Sequence, residues 1–335
     1  MSTASLLAGP KAPPFRRFGL ADFLQSALTS GTDDDVVQIA AARPVDRRDR
    51  FATLLSIYRL STASVHELGA AAVFQSHPAV AAIKQRCERD WLAELDGLVV
   101  PPDIASRDPR DAMRAIAARD RLPAIYKWLA RDASWAEIVQ FLALEGGPDG
   151  GFDDLVAACQ IGLAGRAKLE LATNYWDEMG NGDAAAVHTT LHQELAAALA
   201  LPELPLADQP TIALERSALG GLLTTNRWLQ PEALGALGLI ELQAGPRCRL
   251  VLQGLERCDA PAAAFPFYRV HAEVDPRHGR DWLDNAIAPI VEELPQWGPR
   301  IVRGAYWRGQ INAMFFDEVA RILGVSVPAA AQAQT

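Results

Sequence analysis

Residues 271–278 read HAEVDPRH and hold two of the chain's six histidines. His271, Asp275 and His278 stand at i, i+4 and i+7, one face of an α-helix. Two imidazoles and a carboxylate on one face can hold one first-row metal, and mixed nitrogen and oxygen ligation suits iron or manganese better than zinc. A local reading competes. Asp275–Pro276 disfavours helical geometry at 275, and Pro276 has no backbone N–H to give. Asp275 would then cap a new helix beginning at Pro276, with His271 on the segment before it.

A second group lies in NYWDEMGNGDAAAVHTTLH, residues 174–192. The pattern puts Glu178 in the last turn of one helix and His188 in the second turn of the next, with Asp183 as cap. A short helical hairpin can bring both to one layer of a bundle. His192 reads as a surface residue. A carboxylate at a helix C-terminus opposes the macrodipole, so Asp177 and Glu178 point to a role other than helix stability. Tyr175 and Trp176, just before them, read as core aromatics, with Tyr175 also a candidate for a catalytic role. Glu145 closes the apolar run IVQFLAL, and Glu241 is a lone charge in LGALGLIELQAG. Such glutamates are rarely buried without a partner. Four segments thus offer an inward-capable acid or histidine, which is how bundles build dinuclear carboxylate sites.

The elements that must position these residues read as helices almost throughout. Ala, Leu, Glu and Arg are abundant, and no strand or hairpin pattern stands out. Ser134 and Glu137 form a capping box for 135–145. The GGPDGG stretch after Glu145 is a breaker, and 230–245 and 246–259 read as separate helices. The expected organisation is an all-α domain over 111–323, an N-terminal helical extension over 1–110 and a disordered low-complexity tail over 324–335.

Composition narrows the function classes. The formal net charge is −9 and no Lys/Arg run occurs, which argues against nucleic acid. Four dispersed cysteines without a CxxC pair argue against zinc ribbons and disulfide frameworks. No long apolar stretch marks a signal peptide or a membrane span, so a cytoplasmic protein is expected. HExxH, Glu-x-x-His, P-loop, GxGxxG and GxSxG motifs are absent. His66 and His77 have no matching acids and read as structural or surface residues.

The segment GRAKLELATNYWDEMGNGD with VHTTLH, followed about 80 residues on by HAEVDPRH, resembles the haem-oxygenase-like diiron oxidases and oxygenases, the iron-containing redox enzymes. The resemblance covers roughly 115–322. It implies a haem-oxygenase-like helical bundle holding two irons, with O2 as co-substrate. It also implies a ligand set of Glu145, Glu178, His188, Glu241, His271, Asp275 and His278. Asp153 and Asp154 rival Glu145 as the first ligand. Glu178 would bridge or ligate the first iron with Glu145 and His188. His271, Asp275 and His278 would hold the second, with Glu241 as an extra carboxylate. The substrate would be a small organic molecule, amino-acid-derived or fatty. Haem itself would need a histidine near the start of the domain, and the first one within it is His188. The rival readings of the same fold are a metal-free binding or scaffold protein and a cofactor-independent enzyme. The N-terminal extension is a lid, a docking part or a homodimer surface on this reading.

Overall fold

The structure is a computed structural model that describes residues 19–119, 122–145 and 151–325. The tail beyond 325, the first 18 residues and most of the GGPDGG breaker lie outside the described residues. The structure is 81% helical with no strand among the described residues, the all-α class expected.

Among the described residues five helices come first: α1 (Leu20–Ser30), α2 (Asp33–Gln38), α3 (Arg47–Thr62), α4 (Val65–Leu68) and α5 (Pro78–Asp96). Seven follow: α6 (Pro102–Ala105), α7 (Pro109–Arg119), α8 (Ala124–Arg131), α9 (Trp135–Glu145), α10 (Phe152–Cys159), α11 (Gly165–Glu178) and α12 (His188–Leu199). Then come α13 (Thr211–Thr225), α14 (Gln230–Arg257), α15 (Pro266–Asp281), α16 (Ala288–Glu293) and α17 (Gly298–Ile322).

These helices form two compact units. The first comprises residues 1–95 together with 203–225, and the second 96–202 together with 226–335. The boundary therefore falls earlier than the 110 expected, and α13 belongs with the N-terminal helices. Side-chain chemistry explains the assignment. Glu215 of α13 is buried and accepts from Arg47 at 2.7 Å and from the Trp91 indole at 3.1 Å. Arg48 donates to the carbonyls of Leu206, Ala207 and Gln209. A buried carboxylate with such partners resists separation from them, because removing one side leaves a desolvated charge.

The second unit is built on α14, which packs against α8, α15 and α17. It runs unbroken through Pro246, where the sequence suggests two helices. Packing on three sides outweighs the hydrogen bond that the proline removes. The capping box at α9 is present, with Ser134 N–H and Oγ each 2.7 Å from Glu137 Oε2.

α15 likewise continues through Pro276, so Asp275 is not the cap of a new helix. Two residues of α14 accommodate the ring. A Cβ at Gly245 would lie 2.9 Å from Pro276 Cδ, so only glycine leaves the space. The carbonyl of Ala272, which loses its i+4 N–H to the proline, accepts instead from Arg249 Nη1 at 2.7 Å.

Candidate metal centre

Four helices bring the acids and histidines together. α11 ends on Glu178, and α12 begins on His188 rather than one turn earlier. Gly180, at φ +60°, lets the loop fold back on itself: a Cβ there would meet Ala186 C at 2.5 Å and Val187 N at 2.7 Å. Residues 183–187 are taken up by this close return. Asp183 accordingly caps no helix and accepts from Ala185 N–H at 3.0 Å. The return sets His188 Nδ1 2.6 Å from Glu178 Oε2. α14 supplies Glu241, and α15 supplies His271, Asp275 and His278. Close contact between α14 and α15 suits these short side chains: a Cβ at Gly279 would sit 3.1 Å from the Glu241 carbonyl oxygen.

Ligand-type atoms from these residues form two triads, each within 4.8 Å. One is Glu178, His188 and His271, and the other is Glu178, Glu241 and His278. Glu178 belongs to both. The imidazole rings of His188 and His271 stand 4.4 Å apart. Asp275 is buried beside Glu241 and Glu178, and burial together with those two charges holds its carboxyl well above the usual range.

The donors fit a metal. His278 Nδ1 and Asp275 Oδ2 are buried without a hydrogen-bond partner, and His188 Nδ1 is buried against the Glu178 carboxylate. Unpaired buried polar atoms are costly, and two beside two further carboxylates make a pattern that divalent cations would relieve. His271 donates through Nδ1 to the Phe267 carbonyl at 2.7 Å in the tautomer that leaves Nε2 for a metal. Carboxylates and imidazoles in this mixture match iron or manganese.

The remaining sequence candidates stand apart. Glu145 belongs to neither triad and accepts a hydrogen bond from the Tyr126 hydroxyl. Its charge is felt at Tyr268 and Cys248, and both are raised well above their ordinary values chiefly by burial. Asp153 and Asp154 join no triad either. His192 is half-buried on the Phe267 ring, 5.3 Å between centroids. Tyr175 is half-buried, and Trp176, expected in the core, is exposed.

A family model for iron-containing redox enzymes matches residues 139–313. The chain belongs to that family. The matched span includes all six clustered residues. Membership brings an oxidoreductase-type function, and iron is the metal its description names. No curated protein matches the chain. No helix among the described residues is long and apolar enough to cross a membrane.

Electrostatics give this iron-containing redox enzyme a testable pH signature. Burial first, then the neighbouring His188, lowers His271 to about 4. Burial opposes the charged form of His278 too, but Glu241 and Asp177 outweigh it and raise that residue to about 9. In the metal-free protein the unfolded chain binds the His271 proton more readily, so stability is lost as pH falls from 6.5 towards 4. His278 contributes fully below 6.5, and its contribution is lost as pH rises towards 9. The raised Asp275 carboxyl acts in the same sense as His278, because the folded state holds its proton longer. The metal-free melting temperature is therefore expected to peak near pH 6.5 or slightly below. A monotonic rise to pH 9 in thermal melts would show that the cluster does not govern stability.

Proposed function

We propose that the chain is a non-haem diiron enzyme that activates O2 to oxidise a small organic substrate, amino-acid-derived or fatty. One observation carries this reading: Glu178 serves both triads, as expected of a carboxylate shared by two ions. His188 and His271 complete the first position. Glu241 and His278 complete the second, with Asp275 as a further carboxylate close to Glu241 and Glu178. Glu145 is left out of the set, its carboxylate being held by Tyr126.

The two irons would supply the electrons for reduction of O2. The chain's own residues orient and insulate. The Phe267 carbonyl holds the His271 ring, and burial of Glu178, Glu241, Asp275 and His278 keeps bulk water from the donors. Neutral His271 is ready to ligate across the physiological range, while His278 and Asp275 must each give up a proton to do so.

The test is anaerobic loading with Fe(II), followed by metal analysis, Mössbauer spectra and O2 uptake. About two irons per chain with O2 consumption supports the proposal. One iron per chain argues for a mononuclear site, and none returns the fold to a metal-free binding role.

A further inference from the structure

Metal ligands depend on outer partners that fix their orientation. At the first position that partner is the Phe267 carbonyl, a backbone group. The second position is held differently. We infer that α11 is the orienting helix for the Glu241–His278 position, with Asn174 and Asp177 as its positioning residues. This rests on the diiron reading above.

Asn174 is 1% exposed, and its Nδ2 donates to Glu241 Oε1 at 2.6 Å. That bond ties one carboxylate oxygen and leaves Oε2, which lies 3.5 Å from His278 Nδ1. Asp177 Oδ2 accepts from His278 Nε2 at 2.8 Å. With the proton on Nε2, the lone pair falls on Nδ1, and Nδ1 is the atom buried without a hydrogen-bond partner. Each ligand is therefore restrained through one atom and open through the other.

Asn174, Asp177 and Glu178 stand at i, i+3 and i+4, along one side of a helix. A single rigid element thus carries the shared carboxylate and sets the direction of both other donors in its triad. Arg277 reaches the same Asp177 oxygen at 2.6 Å and is about half-exposed. It braces the aspartate from the solvent side. The placement also accounts for a carboxylate in the last turn of α11, where the macrodipole disfavours it.

Anaerobic titration with Co(II), whose visible spectrum reports ligand geometry, tests this assignment. Wild type is expected to take two equivalents. Asp177→Asn and Asn174→Leu are each expected to weaken one equivalent by about 10–100-fold and to change its spectrum, leaving the other unaltered. In a His188→Ala background, which retains the Glu241–His278 position, the same substitutions should weaken the equivalent that remains. In a His278→Ala background they should have no effect on it. Asp177→Asn is also expected to lower the metal-free melting temperature below pH 9, because His278 loses one of its two acids, while the first equivalent stays unaltered. Two unchanged equivalents would overturn the inference. So would equal weakening of both equivalents, the mark of a merely structural role. Failure of wild type to bind cobalt would instead sink the diiron reading.

Discussion

Glu178→Gln is expected to abolish both metal equivalents, whereas His188→Ala or His278→Ala should remove one. A glutamine keeps the shape of the side chain but offers one neutral carbonyl, which cannot bridge two cations. The loss should exceed the roughly 10–100-fold typical of an outer partner. The same change should raise the melting temperature of the metal-free protein. Glu178 lies in a buried group with Glu241 and Asp275, and its charge is one reason the Asp275 carboxyl is held high. Removing it relieves repulsion in the apo state, the usual exchange between stability and function at a charged site. Metal analysis and thermal melts of the two forms check both halves. A Glu178→Gln variant retaining one tightly bound iron would show that the carboxylate serves a single ion.

Gly245→Ala is expected to destabilise the second unit and to lower metal content with it. The new methyl would meet Pro276 Cδ at 2.9 Å and the His271 carbonyl oxygen at 3.4 Å. Neither a proline ring nor a helix backbone can turn aside, so α15 must shift, and it carries three of the six clustered donors. Overpacking of this kind costs about 1–3 kcal/mol. Pro276→Ala in the same chain removes the ring and restores an N–H to the Ala272 carbonyl. The double variant should therefore recover much of the loss, giving strong non-additivity in urea unfolding. Additive effects would mean that the contact does not decide how α15 is seated.

Much of the cluster was legible in the sequence because its acids and histidines sit at helical spacings. His271, Asp275 and His278 share a face of one helix, so local periodicity was enough. Glu178 and His188 were linked by a turn short enough to read. Pro276 argued for a break, and only the neighbouring helix shows why none occurs: Gly245 and Arg249 compensate from α14. No local pattern could announce that pairing. Glu145, a charge ending an apolar run, accepts a hydrogen bond from Tyr126, and no local pattern points to that partner. Asp177 did leave a signal, an acid set against the helix dipole. Asn174 left none, since its partner is 67 residues away. The helical class was plain, but the membership of α13 was not, because an amphipathic helix does not say which core it enters.

That membership has a consequence for anyone cutting the protein. The first unit is discontinuous in the chain, so no single scission frees either part. A protease nick between residues 96 and 101 would leave the N-terminal fragment bound through Glu215, Arg47 and Arg48 to a helix on the other fragment. Such a nick would pass unseen on a native gel and separate only under denaturation. A gene truncated at 96 would strand α13, exposing Leu214, Leu219 and Leu222, and aggregation of that fragment would say nothing about the metal centre. An isolated bundle needs residues 203–225 excised as well, with Pro202 rejoined to Asn226 by a new linker.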